Sequence, residues 1–292
     1  MTPKPRAVAD LQSGFAFGRT TLGDPSLTSE DDRRRVLELL IRTDPLLMPV
    51  LRAARCLALP DWRLVSGAVY QSVWNALTGR PSGHGIKDID LVYFDGGDLG
   101  YEAEDAAIAR AGAVMAGVEP PVEVRNQARV HRWYEARFGQ PYPRLACTDE
   151  ALLYYAARTH AVGVRLEADN RLSIAAPFGL ADVFAMRLVP NPVLDNSATY
   201  TEKALRMKAT WPEIEILPWP HATAGRDGAL EAGETAGGDT PAKDAGDAPG
   251  ATAPSAPTSP APAPTPPGSH DPADPARDWI TLSTSPRTEL PK

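Results

Sequence analysis

The chain has 292 residues, 43% of them apolar, with a formal charge of −7 and a pI near 5.3. That is enough apolar chain for a folded core, and the acidic balance argues against nonspecific affinity for nucleic acid. Two cysteines exclude a disulfide framework and a cysteine-based metal site, and no apolar run is long enough for a signal-peptide core or a membrane span, so a cytoplasmic protein off the membrane is expected.

Residues 1–27 mix Pro, Gly, Ser and scattered charge without periodicity and read as a flexible leader, with Phe15 and Phe17 as its candidates for docking. Ser29 then caps a helix whose first turn is acidic and whose apolar face carries Val36, Leu37, Leu39 and Leu40. Asp44-Pro45 restarts a second helix through Leu46, Leu47, Val50, Leu51, Ala54 and Cys56, which places Cys56 as a buried thiol. Pro60 ends it. Residues 62–65 read as a strand and 68–77 as a helix after the Ser66-Gly67 turn. The loop 78–86 holds Gly79, Pro81, Gly83 and Gly85; it is a mobile flap or a long turn. A strand follows over 89–94, a turn over 95–98 and a helix over 101–114, where Glu102, Glu104 and Asp105 suit the helix dipole.

The next strand covers 121–125. Asn126 caps a helix over 127–138 that Gly139 ends, and Thr148 caps another over 149–158. Residues 162–167 and 172–175 alternate as a hairpin. A short helix over 180–188, a last helix opened by a capping box from Thr199 to Glu202, and a strand at 214–216 complete a body over 28–220. From 221 to 292 the chain is rich in Pro, Ala, Gly, Thr and Ser, a composition that cannot bury enough apolar surface to offset chain entropy, so a disordered tail is expected. A small apolar island at 278–282 is a candidate docking peptide.

The chemistry is expected around the stretch from Leu64 to Phe94. Side chains alternate across a strand, so Asp88 and Asp90 share one side while Ile89, Leu91 and Tyr93 take the other. Adjacent carboxylates repel, and a hard divalent cation is the common reason to keep them together. Ser66 and Gly67 lie between strand and helix and offer N–H groups for phosphate. Glu123, between Val122 and Val124 on a later strand, is the candidate third carboxylate. Lys87, Arg125 and Arg129 are the candidate cations for a triphosphate, although Lys87 alternates away from Asp88, and Arg125 fits an ion pair with Glu123 or Asp90 as well as it fits phosphate. His131, with no second histidine near it in the pattern, carries little.

A Gly turn, a helix and then Asp-apolar-Asp resemble the core of the DNA polymerase β-like nucleotidyltransferase superfamily. The segments Gly85-Ile86-Lys87-Asp88-Ile89-Asp90, Val122-Glu123-Val124-Arg125-Asn126-Gln127, Ala176-Pro177-Phe178-Gly179 and Pro190-Asn191-Pro192 resemble more closely a bacterial nucleotidyltransferase-like family without an assigned activity, over about residues 30–220. The resemblance implies an α+β fold with a mixed sheet flanked by helices. It also implies a latent site in which Asp88, Asp90 and Glu123 bind Mg²⁺ or Mn²⁺ and act in transfer of a nucleoside monophosphate from an NTP donor. The resemblance supplies no acceptor; the acidic net charge disfavours a polynucleotide, so a small-molecule or protein hydroxyl is the expected one. The interval from Gly67 to Asp88 is longer than the superfamily pattern. A degenerate nucleotide-binding or regulatory module on the same fold is the alternative, and phosphohydrolysis a weaker third reading.

Overall fold

Two kinds of alternation meet in one sheet. The computed structural model describes residues 18–220; Phe15, Phe17, the expected tail and the 278–282 island lie outside the described residues. Five strands, β1 (Arg63–Val65), β2 (Ile89–Tyr93), β3 (Val122–Asn126), β4 (Gly163–Leu166) and β5 (Leu172–Ala175), form a sheet of order β3-β2-β1-β4-β5. Only the β2/β3 pair is parallel; the other neighbours are antiparallel. The register lines up Val124, Leu91, Leu64, Val164 and Ile174 across the sheet. The neighbouring row is Glu123, Asp90, Val65, Gly163 and Ala175. Successive residues point to opposite faces, so the first row lies on an apolar face and the second on a polar one. The expected α+β class, a mixed sheet with flanking helices, is the fold observed.

Helices cover the apolar face. Helix α2 (Glu30–Thr43) starts where Ser29 Oγ accepts from the Asp32 N–H at 3.1 Å, with acids in its first turn, and buries Leu37 and Ile41. Helix α3 (Leu47–Cys56) is started by Asp44, whose Oδ1 accepts from the N–H groups of Leu46 and Leu47. It buries Leu47, Val50, Leu51 and Ala54. Cys56 is exposed, against expectation. At about 100° per residue it lies on the opposite side of the helix from Leu47, so its apolar sequence neighbours did not determine its burial. Helix α4 (Gly67–Thr78) packs against β1 and β2, and α5 (Tyr101–Val114) against β3.

The segment expected to be a leader contains a short helix, α1 (Arg19–Gly23). Leu22 is buried, and an added methyl on Gly23 would collide with Ala185, so this turn packs tightly on the body. Thr28 Oγ donates to the Thr21 carbonyl and Arg33 to the Leu22 carbonyl, which together close the turn over α2.

Three expected helices are broken. Residues Gln127–Arg132 form a 3₁₀ turn before α6 (Tyr134–Phe138). In a 3₁₀ turn positions i and i+3 eclipse, and Arg129 and Arg132 both reach the Leu99 carbonyl that way. The helix over 149–158 reduces to α7 (Thr148–Ala151) and a 3₁₀ turn at Leu152–Tyr154. Asn191 Nδ2 donates to the carbonyls of Leu153 and Tyr155, which a continuing helix would need for itself. The segment 180–188 stops as α8 (Ala181–Phe184). Met186 then adopts φ 55° and turns the chain into β6 (Arg187–Leu188), which pairs with β7 (Glu215–Ile216).

Helix α9 (Ser197–Thr210) begins before the expected capping box. Thr201 Oγ donates back to the Ser197 carbonyl, so the Thr199–Glu202 stretch already lies inside the helix. The loop 78–86 is pinned. Asn75 Nδ2 donates to the His84 carbonyl at 2.9 Å, and Asn75 Oδ1 accepts from Trp211 Nε1 at 2.9 Å. Gly85 has φ 73°, and a methyl there would come within 2.5 Å of the Trp211 ring. We expect Gly85→Ala to destabilise by about 1–3 kcal/mol in chemical denaturation, through overpacking and an unfavourable φ. An unchanged midpoint would mean that the loop stands off from Trp211.

Candidate active site

The registers bring the predicted carboxylates to one place. Asp90 pairs with Val65 on one side and with Glu123 on the other. Neighbouring strands lie about 4.8 Å apart, so Asp90 and Glu123 sit side by side on the polar face. Asp88 lies two residues earlier, where the chain enters β2. Because β1 and β2 are antiparallel, β1 leaves the sheet at this same end, and Ser66-Gly67 follows directly. Asp88, Asp90 and Glu123 are all partly exposed.

The turn after β1 carries backbone strain. Ser66 has φ 56° and ψ −122°, a region that favours glycine. Its N–H donates to the Val162 carbonyl at 2.8 Å, and its own carbonyl accepts from Val69 and Tyr70. The turn puts the start of α4 at the end of the sheet where Asp88 lies.

Crowding sets the charge state of Asp90. Its carboxyl is pushed up to about 7, first by burial, then by the negative charge of Asp88, with Glu123 adding to it; Lys203 and Arg125 oppose the shift. The unfolded chain releases this proton near pH 4 and the folded chain near 7. Between those values the folded state holds more protons, so the stability Asp90 contributes is present below about pH 4 and lost as pH rises through about 7. We expect Asp90→Asn, in EDTA, to raise Tm relative to wild type more at about pH 8.5 than at about pH 5. A gap independent of pH would show that Asp90 ionises freely.

The expected cations occupy different places. Lys87 is exposed. Arg125 Nη2 lies 3.9 Å from Glu123 Oε2, and its Nη1 donates to the Val124 carbonyl. Arg129 forms an ion pair with Glu104, donates to the Leu99 carbonyl and lies over the Tyr101 ring, so its guanidinium secures the junction of α5 with β3. Glu104 is buried and accepts from the Asn126 N–H at 2.7 Å, a contact that dipole reasoning for α5 did not foresee. His131 accepts from Arg144 at 3.3 Å.

Two cations were missed. Lys203 and Arg206 lie on α9, flanking the buried stripe of Tyr200, Ala204 and Met207. Burial holds the Lys203 pKa below its ordinary value and Arg206 adds to this, while the charges of Asp90 and Asp88 favour its ammonium. The signal in the sequence was a pair of cations three residues apart beside an apolar stripe. Only the tertiary fold says which site that pair faces.

The donor set fits a hard cation by type. Mg²⁺ is commonly held by one or two carboxylates with water and substrate phosphates completing the shell, and Asp88 with Asp90 supplies the carboxylates. Among the described residues no three His, Cys, Asp or Glu side chains stand close enough together to hold an ion as they are.

A sequence model of a family described as nucleotidyltransferase matches residues 52–216, more than half of the chain. The chain belongs to this nucleotidyltransferase family. Comparison with curated protein sequences gives no match. Among solved structures, an NMR structure described as revealing a CCA-adding enzyme head domain is similar, with a TM-score of 0.52 and 22% identity over 63% of this chain and 96% of that one. At that identity the likeness concerns the fold. The matched segment of the nucleotidyltransferase runs from α3 to β7 and contains Ser66, Asp88, Asp90, Glu123 and Lys203. No helix among its described residues is long and apolar enough to cross a membrane.

Proposed function

We propose that the protein is a Mg²⁺-dependent nucleotidyltransferase that moves a nucleoside monophosphate from an NTP onto the hydroxyl of a small molecule or a protein. The observation that carries this is the lateral pairing of Asp90 with Glu123, with Asp88 at the same sheet end and the strained Ser66-Gly67 turn beside it.

Asp88 and Asp90 would hold the metal, which when bound supplies charge neutralisation at the phosphates. The N–H groups at the start of α4 take phosphate oxygens. Glu123 orients the acceptor hydroxyl and takes its proton as the hydroxyl oxygen bonds to the α-phosphorus. The bond from that phosphorus to the bridging oxygen breaks, and pyrophosphate leaves with the electron pair. Arg125, beside Glu123, keeps that carboxylate in place. The protein contributes positioning and charge, and little covalent work.

A screen of the four NTPs with Mg²⁺ or Mn²⁺, reading pyrophosphate release and labelling of the protein itself, tests this reading. Metal-dependent pyrophosphate release with at least one NTP is expected. Metal-dependent NTP binding without release would favour a regulatory module on the same fold.

A further inference from the structure

We propose that Lys203 and Arg206, facing the start of α4 across Met207 and Gln71, form a seat for a pyrophosphate group, the portion of the donor that departs. This rests on the nucleotidyl-transfer reading and adds residues from outside the sheet.

The geometry runs through contacts. Lys203 and Met207 are one turn apart and share a face of α9. Met207 Sδ accepts from Tyr70 at 3.5 Å and from Gln71 Nε2 at 3.8 Å. Gln71 sits against the start of α4, since a methyl on Gly67 would meet its Nε2 at 3.1 Å. The cationic flank of α9 is thereby held next to the helix N-terminus already assigned to phosphate.

Two further observations point to an anion. Lys203 and Arg206 are partly buried side by side, and neither joins a hydrogen bond or ion pair among the described residues. Like charges held together out of water are costly; Asp90 and Asp88 offset part of that cost at Lys203, and a multivalent anion offsets more. Beside them lies a buried nitrogen without a hydrogen-bond partner among the described residues, His160 Nε2. His160 is 2% exposed. His160 stacks on Tyr70 at 4.8 Å and feels the charges of both Lys203 and Arg206. An imidazole N–H donates well to a phosphate oxygen, and a pyrophosphate has acceptors to spare.

The test is calorimetric titration of the full chain with inorganic pyrophosphate in EDTA. Wild type is expected to bind, and Lys203→Gln/Arg206→Gln to bind about a hundredfold more weakly, since each lost charge-assisted contact costs about a decade. Asp88→Asn should bind pyrophosphate more tightly than wild type, because a repelling charge is gone. Lys203→Arg should keep affinity within about threefold, as the charge is retained. If the double variant does not fold, the single Gln variants decide. Binding unchanged in the variants, or no binding by wild type, overturns the seat. Mg²⁺-NTP turnover measured in parallel separates the two readings. Turnover and pyrophosphate affinity both kept in the double variant reject the seat and leave the transfer reading. Affinity lost in the double variant while wild type turns over no NTP keeps the seat and rejects the transfer reading.

Discussion

Asp88→Asn and Asp90→Asn are each expected to lower metal-dependent pyrophosphate release on the order of a thousandfold while the chain stays folded. Each carboxylate is half of the pair that would carry the cation, and a neutral amide cannot supply the same charge at the phosphates. The fold has little to lose by either change. Asp88 stands before β2, and the backbone bonds of Asp90 are those of the ladder. The change also removes the burial cost and the repulsion by Asp88 that push the Asp90 carboxyl up to about 7. Pyrophosphate release and Tm measured on the same samples check this. Release within about tenfold of wild type in either variant would place the chemistry elsewhere.

The largest loss of stability is expected from Trp211→Ala, about 3–5 kcal/mol in chemical denaturation. Trp211 is fully buried and meets Trp74 edge to face at 5.4 Å and His84 at 5.9 Å. Its Nε1 donates to Asn75 Oδ1, and the truncation leaves that buried acceptor unpaired. Gly85 rests on the same ring, so the 78–86 loop loses its support. Trp211 also follows directly after α9, so its loss should loosen the helix that carries Lys203 and Arg206. A shift below about 1 kcal/mol would mean that this closure contributes little to the fold.

Local pattern told much of this. Period-two alternation marked Asp88 and Asp90 at the start of a strand and Glu123 on another, and Ser29 and Asp44 announced their helices through side chains that accept nearby N–H groups. What local pattern lacked was the identity of distant partners. Nothing near residue 152 says that Asn191 will claim the carbonyls of Leu153 and Tyr155. Nothing near Glu104 says that Arg129 and the Asn126 N–H will meet it, so Arg129 read as a phosphate ligand when its guanidinium is engaged at the α5/β3 junction. Lys203 and Arg206 drew no reading for the same reason. Cys56 misled in another way: composition gave the right helix, and only the angle around its axis put the thiol outside.

The most direct measurement is a crystal of the full chain with Mn²⁺ and a non-hydrolysable NTP, with the metal located by its anomalous signal. Manganese coordinated by the carboxylates of Asp88 and Asp90, with the triphosphate running from Ser66-Gly67 toward Lys203, is the expected result. Metal and nucleotide bound away from both aspartates would contradict the account.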